Sequence, residues 1–379
     1  MVYYKEWSCR TTPKSNYNFT AVKLGEKVRD WNVTWYYACF SNDWRIENHL
    51  SLKVGRVIVK QIYWEYMQKD ITISIIAPIY GVEKYIVEFA DSVLSQSYPH
   101  IEFIFVNDGT KDRSMELLDQ LIASKYEHLR PQIKIINKPN GGLPAARRTG
   151  LEHATGDYIY NVDSDDWLSE GSIANIAAKI SETDADIVYF NYVKEYPSRS
   201  SVKREHCYGA NEQKRYVRNM YNHRSFGTLC NKCIRRSLFV ENVIHTPKYG
   251  YAEDCYVSTQ LVGYARSIAY IDENVYHYRK GDPTAMTGQQ RRKRKREYSL
   301  NFIDLYLKYK DAPADNNPIA CIFDDILMQA GWYSIWYRLD LFKEFPWLVD
   351  AVRKAKVKGN GSDVPLAAQL LTKFVVLFK

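Results

Sequence analysis

The sequence of 379 residues lacks the features that mark several large classes of protein. It has no apolar run of the roughly 18 to 20 residues that a membrane-spanning helix needs. Its first ten residues, MVYYKEWSCR, lack the apolar core of a signal peptide. The seven cysteines, an odd number scattered over a long chain, do not indicate a disulfide framework. We therefore expect a protein of a reducing, cytoplasmic compartment.

The sequence also lacks a strong charge imbalance. It carries 52 Lys and Arg against 44 Asp and Glu, and the net charge of +8 is too mild for this length to indicate nucleic acid as a partner. The 46% of hydrophobic residues and 25% of charged residues are typical of globular proteins and exclude a disordered or collagen-like chain. Aromatic residues are abundant, with 31 Tyr and 9 Trp. Such an excess suits a protein that stacks on sugars or bases, although core packing is its commoner cause.

The chain divides into three predicted regions. Residues 1–69 are rich in Trp and Tyr but show little regular periodicity, so we treat them as an N-terminal extension of unknown role, with Met67 as a possible start of the following domain. Residues 70–290 form the predicted main domain. Residues 291–379 are predicted to be a helical C-terminal region.

Strands alternate with helices from Ile71 onward. Short β-branched runs predict four strands, at 71–80, 101–107, 133–137 and 157–162. Helical spacing predicts helices at 82–96, at 112–125 and from Pro144 to about Ala154. This alternation is typical of an α/β fold with a mostly parallel sheet and helices on both faces. Later segments predict strands at 185–193 and 267–278 and helices at 253–265, 292–310 and 318–342.

Polar side chains follow three of these strands. Tyr80 follows the first strand, Asp108 the second, and Asp163-Ser164-Asp165-Asp166 the fourth. Ligands of open α/β sheets bind at this edge, and Mg²⁺ and Mn²⁺ prefer one or two carboxylates together with phosphate and water. The pattern therefore indicates a nucleotide diphosphate bound with a metal ion. Taken singly, each feature has a plainer interpretation: a rim tyrosine, a helix cap and a solvated acidic turn.

The stretch from about Ile73 to Leu168 resembles the nucleotide-binding half of the inverting glycosyltransferases of family 2, which have a GT-A fold. The matching text is SIIAPIYGVEKYI, SVLSQSYPHIEFIFVNDGTKDRS and NKPNGGLPAARRTGLEHATGDYIYNVDSDDWL. The resemblance implies that Pro78 and Tyr80 line the nucleotide and that Asp108 reads the uracil. It also implies that Asp163 and Asp165 form the metal-binding DXD motif, with Asp165 the direct ligand. Three positions depart from the family pattern: Gly81 replaces Asn, Thr110 replaces Ser, and Arg148 replaces the Asn of an Ala-Arg-Asn pattern.

Residues 169–290 match the acceptor half of the same family more thinly. The segments are LCNKCIRRSLF at 229–239, TPKYGYAEDCYVSTQL at 246–261 and VYHYRKGDPTAMT at 275–287. The resemblance implies that Asp254 is the catalytic base and that Glu253 assists in substrate binding, although a helix-start carboxylate is an equal interpretation of Glu253. It further implies contacts of His277 with the metal and of Arg279 with the diphosphate.

The function implied by this resemblance is transfer of a sugar from a nucleotide-diphospho-sugar, expected to be a UDP-sugar, with Mn²⁺ or Mg²⁺ as cofactor. The acceptor is expected to be a hydroxyl of a glycan or lipid-linked carrier, in the synthesis of a bacterial surface polysaccharide such as capsule or lipopolysaccharide. Two alternatives stay open. One is a metal-dependent nucleotidyltransferase on a similar sheet, and the other is a basic module that binds a membrane or nucleic acid.

Two further motifs bear on these alternatives. The pair Cys230 and Cys233 has no second pair at zinc-site spacing, so we expect no metal or redox role for it. The run RRKRKR at 291–296, with an amphipathic tail at 366–379, suits an anionic membrane surface, so the protein is expected to lie at the inner face of the membrane if it binds one. A solvated helix face and a tail docked on the protein core are the competing interpretations.

Overall fold

The structure, a computed structural model, describes residues 6–7, 21–28, 31–40, 43–45, 71–280, 291–313 and 316–355. The chain forms two compact units, Met1–Gln68 and Lys69–Lys379. In the first unit, strands β1 to β4 form an antiparallel sheet in chain order. These strands are Glu6–Trp7, Ala21–Val28, Trp31–Phe40 and Asp43–Arg45.

The second unit begins with the parallel half of a nine-stranded sheet. Strands β5 to β8 are Ile73–Ile79, Ile101–Asn107, Ile133–Asn137 and Tyr158–Asn161. Helices α1 to α3 connect them and are Ile86–Leu94, Ser114–Lys125 and Leu143–His153. The spatial order is β7-β6-β5-β8, with every pair parallel. All seven predicted elements are confirmed, with ends shifted by a few residues.

Strands β5, β6 and β8 are buried on both faces, which explains their continuous apolar sequences, whereas the edge strand β7 is only half-buried. Because side chains alternate along a strand, Ile75 and Phe103 pack with helices α1 and α2, whereas Ile76 and Ile104 face the opposite side. Helix α3 covers that opposite side through Ala146 and its neighbours. The prediction of helices on both faces is therefore confirmed.

The following half of the sheet is mixed. Strands β9 to β13 are Trp167–Leu168, Ile187–Tyr196, Arg199–Lys203, Lys232–Arg235 and Ile268–Arg279. Helices α4 to α7 are Ser172–Thr183, Gln213–Tyr221, Arg236–Val240 and Glu253–Tyr264. Strand β12 inserts antiparallel between β8 and β10, while β10 and β13 pair in parallel. The expected α/β fold is confirmed, and its parallel character is concentrated in the first half.

Helices continue after the sheet, as the sequence predicts. Helices α8 to α11 are Arg291–Tyr309, Phe323–Trp336, Leu341–Glu344 and Trp347–Lys354. The basic run occupies the first turns of α8, whereas the tail at 366–379 lies outside the described residues. Among the helices described, none is long and apolar enough to cross a membrane.

The tyrosine excess is explained largely by the core. Among the described residues, eight tyrosines are fully buried: Tyr158, Tyr160, Tyr189, Tyr216, Tyr221, Tyr256, Tyr276 and Tyr298. Several meet edge-on or tilted, for example Tyr189 and Tyr216 with ring centroids 4.8 Å apart. Such contacts add to the stabilisation gained from burial of each ring.

Candidate active site

Adjacent strands bring the predicted donor-site residues to one edge of the sheet. Strand β5 lies between β6 and β8, so Tyr80, Asp108 and Asp163 follow three neighbouring strands at their carboxyl ends. Tyr80 is 54% exposed, which leaves its ring open to solvent. Pro78 is buried in β5, and its carbonyl accepts a hydrogen bond from Ser164 Oγ at 2.6 Å.

Gly81, a departure from the family pattern, lies in a left-handed backbone conformation with φ of +68°. Gly adopts this conformation without strain, and Asn adopts it more readily than other residues. The replacement of Asn by Gly therefore preserves the turn. The Gly81 N–H donates to Thr110 Oγ1 at 2.9 Å, so the hydroxyl that replaces the family's Ser supports the same turn.

The carboxylate of Asp108 is buried and holds the loop before α3. It accepts hydrogen bonds from Gly141 N at 2.9 Å and Gly142 N at 2.8 Å, and it pairs with the ammonium of Lys138. These contacts fix where α3 begins. Recognition of uracil by Asp108 remains a prediction.

The acidic turn after β8 is fastened by its last carboxylate. Asp166 is buried and accepts hydrogen bonds from Tyr276 Oη at 2.5 Å and from Arg279 N at 2.7 Å. Burial, with the nearby charges of Asp165 and Asp163, raises the pKa of Asp166 well above its ordinary range. Arg279 also donates from Nε to the Asp165 carbonyl at 2.8 Å. The turn therefore uses Asp166 structurally and offers Asp163 and Asp165 as the two candidate metal ligands.

These two carboxylates fit a hard divalent cation in donor type and number. Mg²⁺ is usually held by one or two carboxylates, and phosphate and water complete its shell. No group of three or more metal-ligating side chains occurs within 71–280, 291–313 and 316–355, so the protein ligands described here would need phosphate or water beside them.

His277 and Arg279 lie on β13 and make contacts within the protein. His277 Nδ1 lies 2.8 Å from Glu195 Oε1 and Nε2 lies 2.9 Å from Ser169 Oγ, while the ring stacks on Trp167. Both ring nitrogens are engaged, a geometry that does not favour a metal ligand, and this role stays a prediction. Arg279 Nη2 donates to Glu88 Oε2 at 2.6 Å, so its predicted contact with the diphosphate requires that ion pair to open.

The predicted base, Asp254, lies in the first turn of α7 beside Glu253. Helix α7 begins after Ala252, which has a left-handed backbone conformation with φ of +64°, one that Gly adopts with less strain than Ala. Burial raises the pKa of the Asp254 carboxyl, and the Arg147 guanidinium counteracts part of that increase. A raised pKa makes a carboxylate a stronger base.

Arg147 joins the two halves of the site, and the sequence interpretation gave it no role. This buried side chain on α3 donates from Nη2 to Asp163 Oδ1 at 2.7 Å and from Nη1 to Asp254 Oδ1 and, at 3.4 Å, to Glu253 Oε1. Burial alone would lower the pKa of Arg147, but the three carboxylates outweigh it and hold that pKa well above its ordinary value. The motif AARRTG contained the residue, but only tertiary structure reveals its three partners.

Lys232, in the segment LCNKCIRRSLF at 229–239, supports the loop next to Asp254. Lys232 is buried, and Nζ donates at 2.7 Å to the carbonyls of Phe226 and Thr228. Burial lowers the pKa of Lys232 to about 8. The neighbouring Cys230 and Cys233 are free thiols whose burial raises their pKa, which disfavours the thiolate needed for metal or redox chemistry.

Comparisons with known proteins point to one family of enzymes. The family model described as glycosyl transferase family 2 matches residues 74–242. The uncharacterized glycosyltransferase EpsJ of Bacillus subtilis is 32% identical over 221 residues, which are 57% of this chain and 62% of EpsJ. The minor teichoic acid biosynthesis protein GgaB of the same species is 40% identical over 105 residues, 27% of this chain and 11% of GgaB. The chain thus spans only part of the length of these relatives.

A solved structure shares the fold. Residues 1–349 of S. aureus TarS in complex with UDP-GlcNAc superpose with a TM-score of 0.56 and 21% identity, over 74% of this chain and 80% of that one. At this level of identity the likeness concerns the fold alone. Together with the family match, it identifies the α/β sheet as a GT-A fold, and residues 74–242 match the glycosyltransferases of family 2.

Proposed function

We propose that this protein transfers a sugar from a UDP-sugar to a hydroxyl of a glycan or lipid-linked acceptor, with inversion at the anomeric carbon. The observation that carries the proposal is the meeting of Asp163 and Asp254 at one guanidinium, that of Arg147. The first carboxylate ends a donor-side strand, and the second begins an acceptor-side helix. Asp163 can therefore act at the leaving diphosphate while Asp254 acts at the attacking hydroxyl, within one site.

Asp254 supplies the base of the reaction. Its carboxylate takes the proton of the acceptor hydroxyl while that oxygen attacks the anomeric carbon. The bond from this carbon to the diphosphate oxygen breaks in the same displacement, and its electron pair leaves with the diphosphate. One positioned base suffices for a single displacement, and we assign no nucleophile to the protein. The sheet edge and helix α7 fix the two substrates relative to each other.

Asp163 and Asp165 would hold the metal ion, Mn²⁺ or Mg²⁺. When bound, such an ion neutralises negative charge that develops on the leaving diphosphate. The hydrogen bonds of Asp166 hold the turn so that these two carboxylates are presented at the sheet edge. Tyr80, exposed beside them, is proposed to stack on the nucleobase.

A surface polysaccharide is the proposed product. The matching part of GgaB belongs to a protein named for teichoic acid biosynthesis, and the fold neighbour TarS binds UDP-GlcNAc. The complex of TarS supports a UDP-sugar as the donor, and the name of GgaB supports a polymer as the product. Capsule or lipopolysaccharide is the class of polymer that we propose. We further propose that the protein works peripherally at an anionic membrane, where lipid-linked acceptors are found.

The test is hydrolysis and transfer with a panel of UDP-sugars in the presence of Mn²⁺. We expect one UDP-sugar to be consumed, with activity lost on addition of a chelator and restored by Mn²⁺ or Mg²⁺. NMR of the transferred sugar should show inverted anomeric configuration. Full activity in excess chelator, or a retained configuration, would remove the corresponding part of the proposal.

A further inference from the structure

Arg147 pairs with three carboxyl groups of the site. Its side chain is only 8% exposed, and its three partners come from the turn after β8 and from the start of α7. An ion pair this buried must be well satisfied to be tolerated.

The charges in this cluster do not balance. One guanidinium faces the three carboxyl groups of Asp163, Glu253 and Asp254. Buried like charges are costly unless a cation or a proton compensates for them. The cluster can therefore accept further positive charge at Asp163, the one of its three carboxyl groups that is also a proposed metal ligand.

The guanidinium of Arg147 donates hydrogen bonds to both the donor side and the acceptor side of the site. Nη1 serves Asp254 and Glu253, whereas Nη2 serves Asp163. Nε is buried and has no hydrogen-bond partner among the described residues. Nε and Nη2 form one edge of the planar group, an edge that can bind two oxygens of a phosphate side by side. Of the two nitrogens on this edge, Nη2 donates a hydrogen bond to Asp163, whereas Nε donates none to the described residues.

We propose that Arg147 couples the metal and the donor diphosphate to the catalytic base, an inference that rests on the function proposed above. Arg147 competes with the divalent cation for Asp163 while no donor is bound. When Asp163 turns to the cation, the edge formed by Nε and Nη2 becomes free and binds oxygens of the diphosphate. Nη1 keeps its contact with Asp254 throughout and so orients the base toward the loaded donor.

The proposal makes a measurable statement about metal and nucleotide binding. In the wild type, UDP should increase Mn²⁺ affinity, because it gives the released edge a new partner. In Arg147→Met, Mn²⁺ alone should bind about fivefold or more tightly than in the wild type, a factor within the usual range of coupling between sites. The same variant should lose most of the UDP enhancement. Transfer should fall even with saturating Mn²⁺, because Asp254 has lost its orienting partner.

Two further variants separate coupling from simple damage. Arg147→Lys keeps the positive charge, so Mn²⁺ affinity should stay near wild type, but a single ammonium lacks the paired edge, so the UDP enhancement should fall. Arg148→Met changes the exposed neighbour on the same helix and should change neither quantity. Thermal unfolding shows whether each variant is folded. If Arg147→Met does not fold, the result for Arg147→Lys decides whether Arg147 couples metal binding to UDP binding.

Mn²⁺ binding is read directly, by electron paramagnetic resonance of the free ion, with and without UDP. Weaker Mn²⁺ binding in folded Arg147→Met, or an unchanged UDP enhancement in both Arg147 variants, would overturn the coupling. A wild type that binds no Mn²⁺ even with UDP would instead overturn the metal-dependent function. The two failures are therefore distinguishable.

Discussion

Two adjacent carboxyl groups at the start of α7 have different surroundings, although each contacts Arg147. Glu253 is the more distant, at 3.4 Å from Nη1, while Asp254 makes the closer contact with the same nitrogen. The side chain of Asp254 is 21% exposed against 12% for Glu253. Asp254 is therefore the more exposed of the two carboxyl groups and the closer to Arg147, which agrees with its assignment as the base.

We predict that Asp254→Asn loses transfer but keeps donor binding. Asn has the same shape but cannot take the proton of the acceptor hydroxyl. General-base catalysis contributes about 10²- to 10⁴-fold, so transfer should fall by about that factor. UDP affinity, measured by calorimetry, should stay near wild type because Tyr80, Asp108 and the candidate metal ligands are unchanged. Transfer at a normal rate would exclude Asp254 as the base and make Glu253 the next candidate.

Glu253 leads to a prediction about pH and stability. Burial and the neighbouring Asp254 charge raise the pKa of Glu253 above its ordinary value of 4.5. Between 4.5 and the raised value, the native state keeps a proton that the unfolded chain has lost. The free energy of unfolding should therefore fall as pH rises through this range, by at most about 1.4 kcal/mol for each pH unit from this group.

Glu253→Gln should reduce that slope, because the amide stays neutral in both states. The measurement is urea unfolding of the metal-free protein at several pH values between 5 and 8. Asp254 also has a raised pKa, so part of the slope should remain. Glu170→Gln, at an exposed position, is the control and should leave the slope unchanged. An identical slope in Glu253→Gln would show that Glu253 is ionised in the native state across this range.

Helix α3 carries the coupling residue, and its position depends on a close approach to strand β5. A methyl group added at Gly150 would lie 2.3 Å from Ile76 Cγ2, a distance that forces one of them to move. Such overpacking costs about 1 to 3 kcal/mol, partly offset by the roughly 1 kcal/mol by which Ala favours a helix over Gly.

We therefore predict that Gly150→Ala lowers both stability and transfer. Arg147 precedes Gly150 by about one turn of α3, so a displaced helix also misplaces the guanidinium. Gly209→Ala is the matched control, since its nearest neighbour would lie at an ordinary 3.4 Å. Urea unfolding and transfer assays on both variants give the comparison. A Gly150→Ala protein with normal stability and transfer would show that α3 tolerates a shift.

The elements were predictable from sequence to different degrees. The strands at Ile101–Asn107 and Ile133–Asn137 match their predicted bounds because each apolar run ends in a polar turn. The antiparallel insertion of β12 between β8 and β10 was not predicted, since pairing between distant segments leaves no local pattern. The role of Arg147 was not predicted for the same reason, because its partners Asp163 and Asp254 are 16 and 107 residues away in the chain. Motif positions were accessible to sequence reasoning, but the contacts between motifs were not.

The first turn of α8 leads to a prediction about membranes. Arg291, Arg292 and Lys293 are exposed there, although Arg291 lies over the Tyr337 ring and Arg292 donates to the Arg338 carbonyl. Lys295 and Arg296 are less exposed and contact Tyr333 and Glu344. Each exposed basic residue near an anionic surface contributes about 1 kcal/mol of attraction. The double change of Arg291 and Lys293 to Gln should therefore weaken the free energy of binding to anionic vesicles, measured by sedimentation, by about 2 kcal/mol in total.

The matched control for the vesicle experiment replaces two other exposed lysines, Lys84 and Lys111, with Gln. It should sediment as the wild type does, and neutral vesicles should bind none of the three proteins strongly. Equal binding by all three proteins would make α8 an ordinary solvated helix. The predicted amphipathic tail at 366–379 lies outside the described residues, and its contribution is a separate question for a truncated protein.

At the scale of the whole molecule, the chain separates into two compact units at Gln68 and Lys69. The residues of the candidate site all belong to the second unit, from Pro78 to Arg279. The family match, residues 74–242, also lies entirely within it.

We predict that a protein starting at Met67 folds and retains hydrolysis of the donor sugar. The second unit contains its own apolar core on both faces of its sheet, which is what an independently folding domain requires. The truncated and full chains should show the same cooperative urea transition for this unit and similar rates of UDP release with Mn²⁺. The control is a shorter chain that starts at Ser74. It lacks Ile73, the first residue of β5, together with the residues before it, and it should not fold. If the protein starting at Met67 is insoluble or inactive, the N-terminal segment contributes to the core or the site of the second unit.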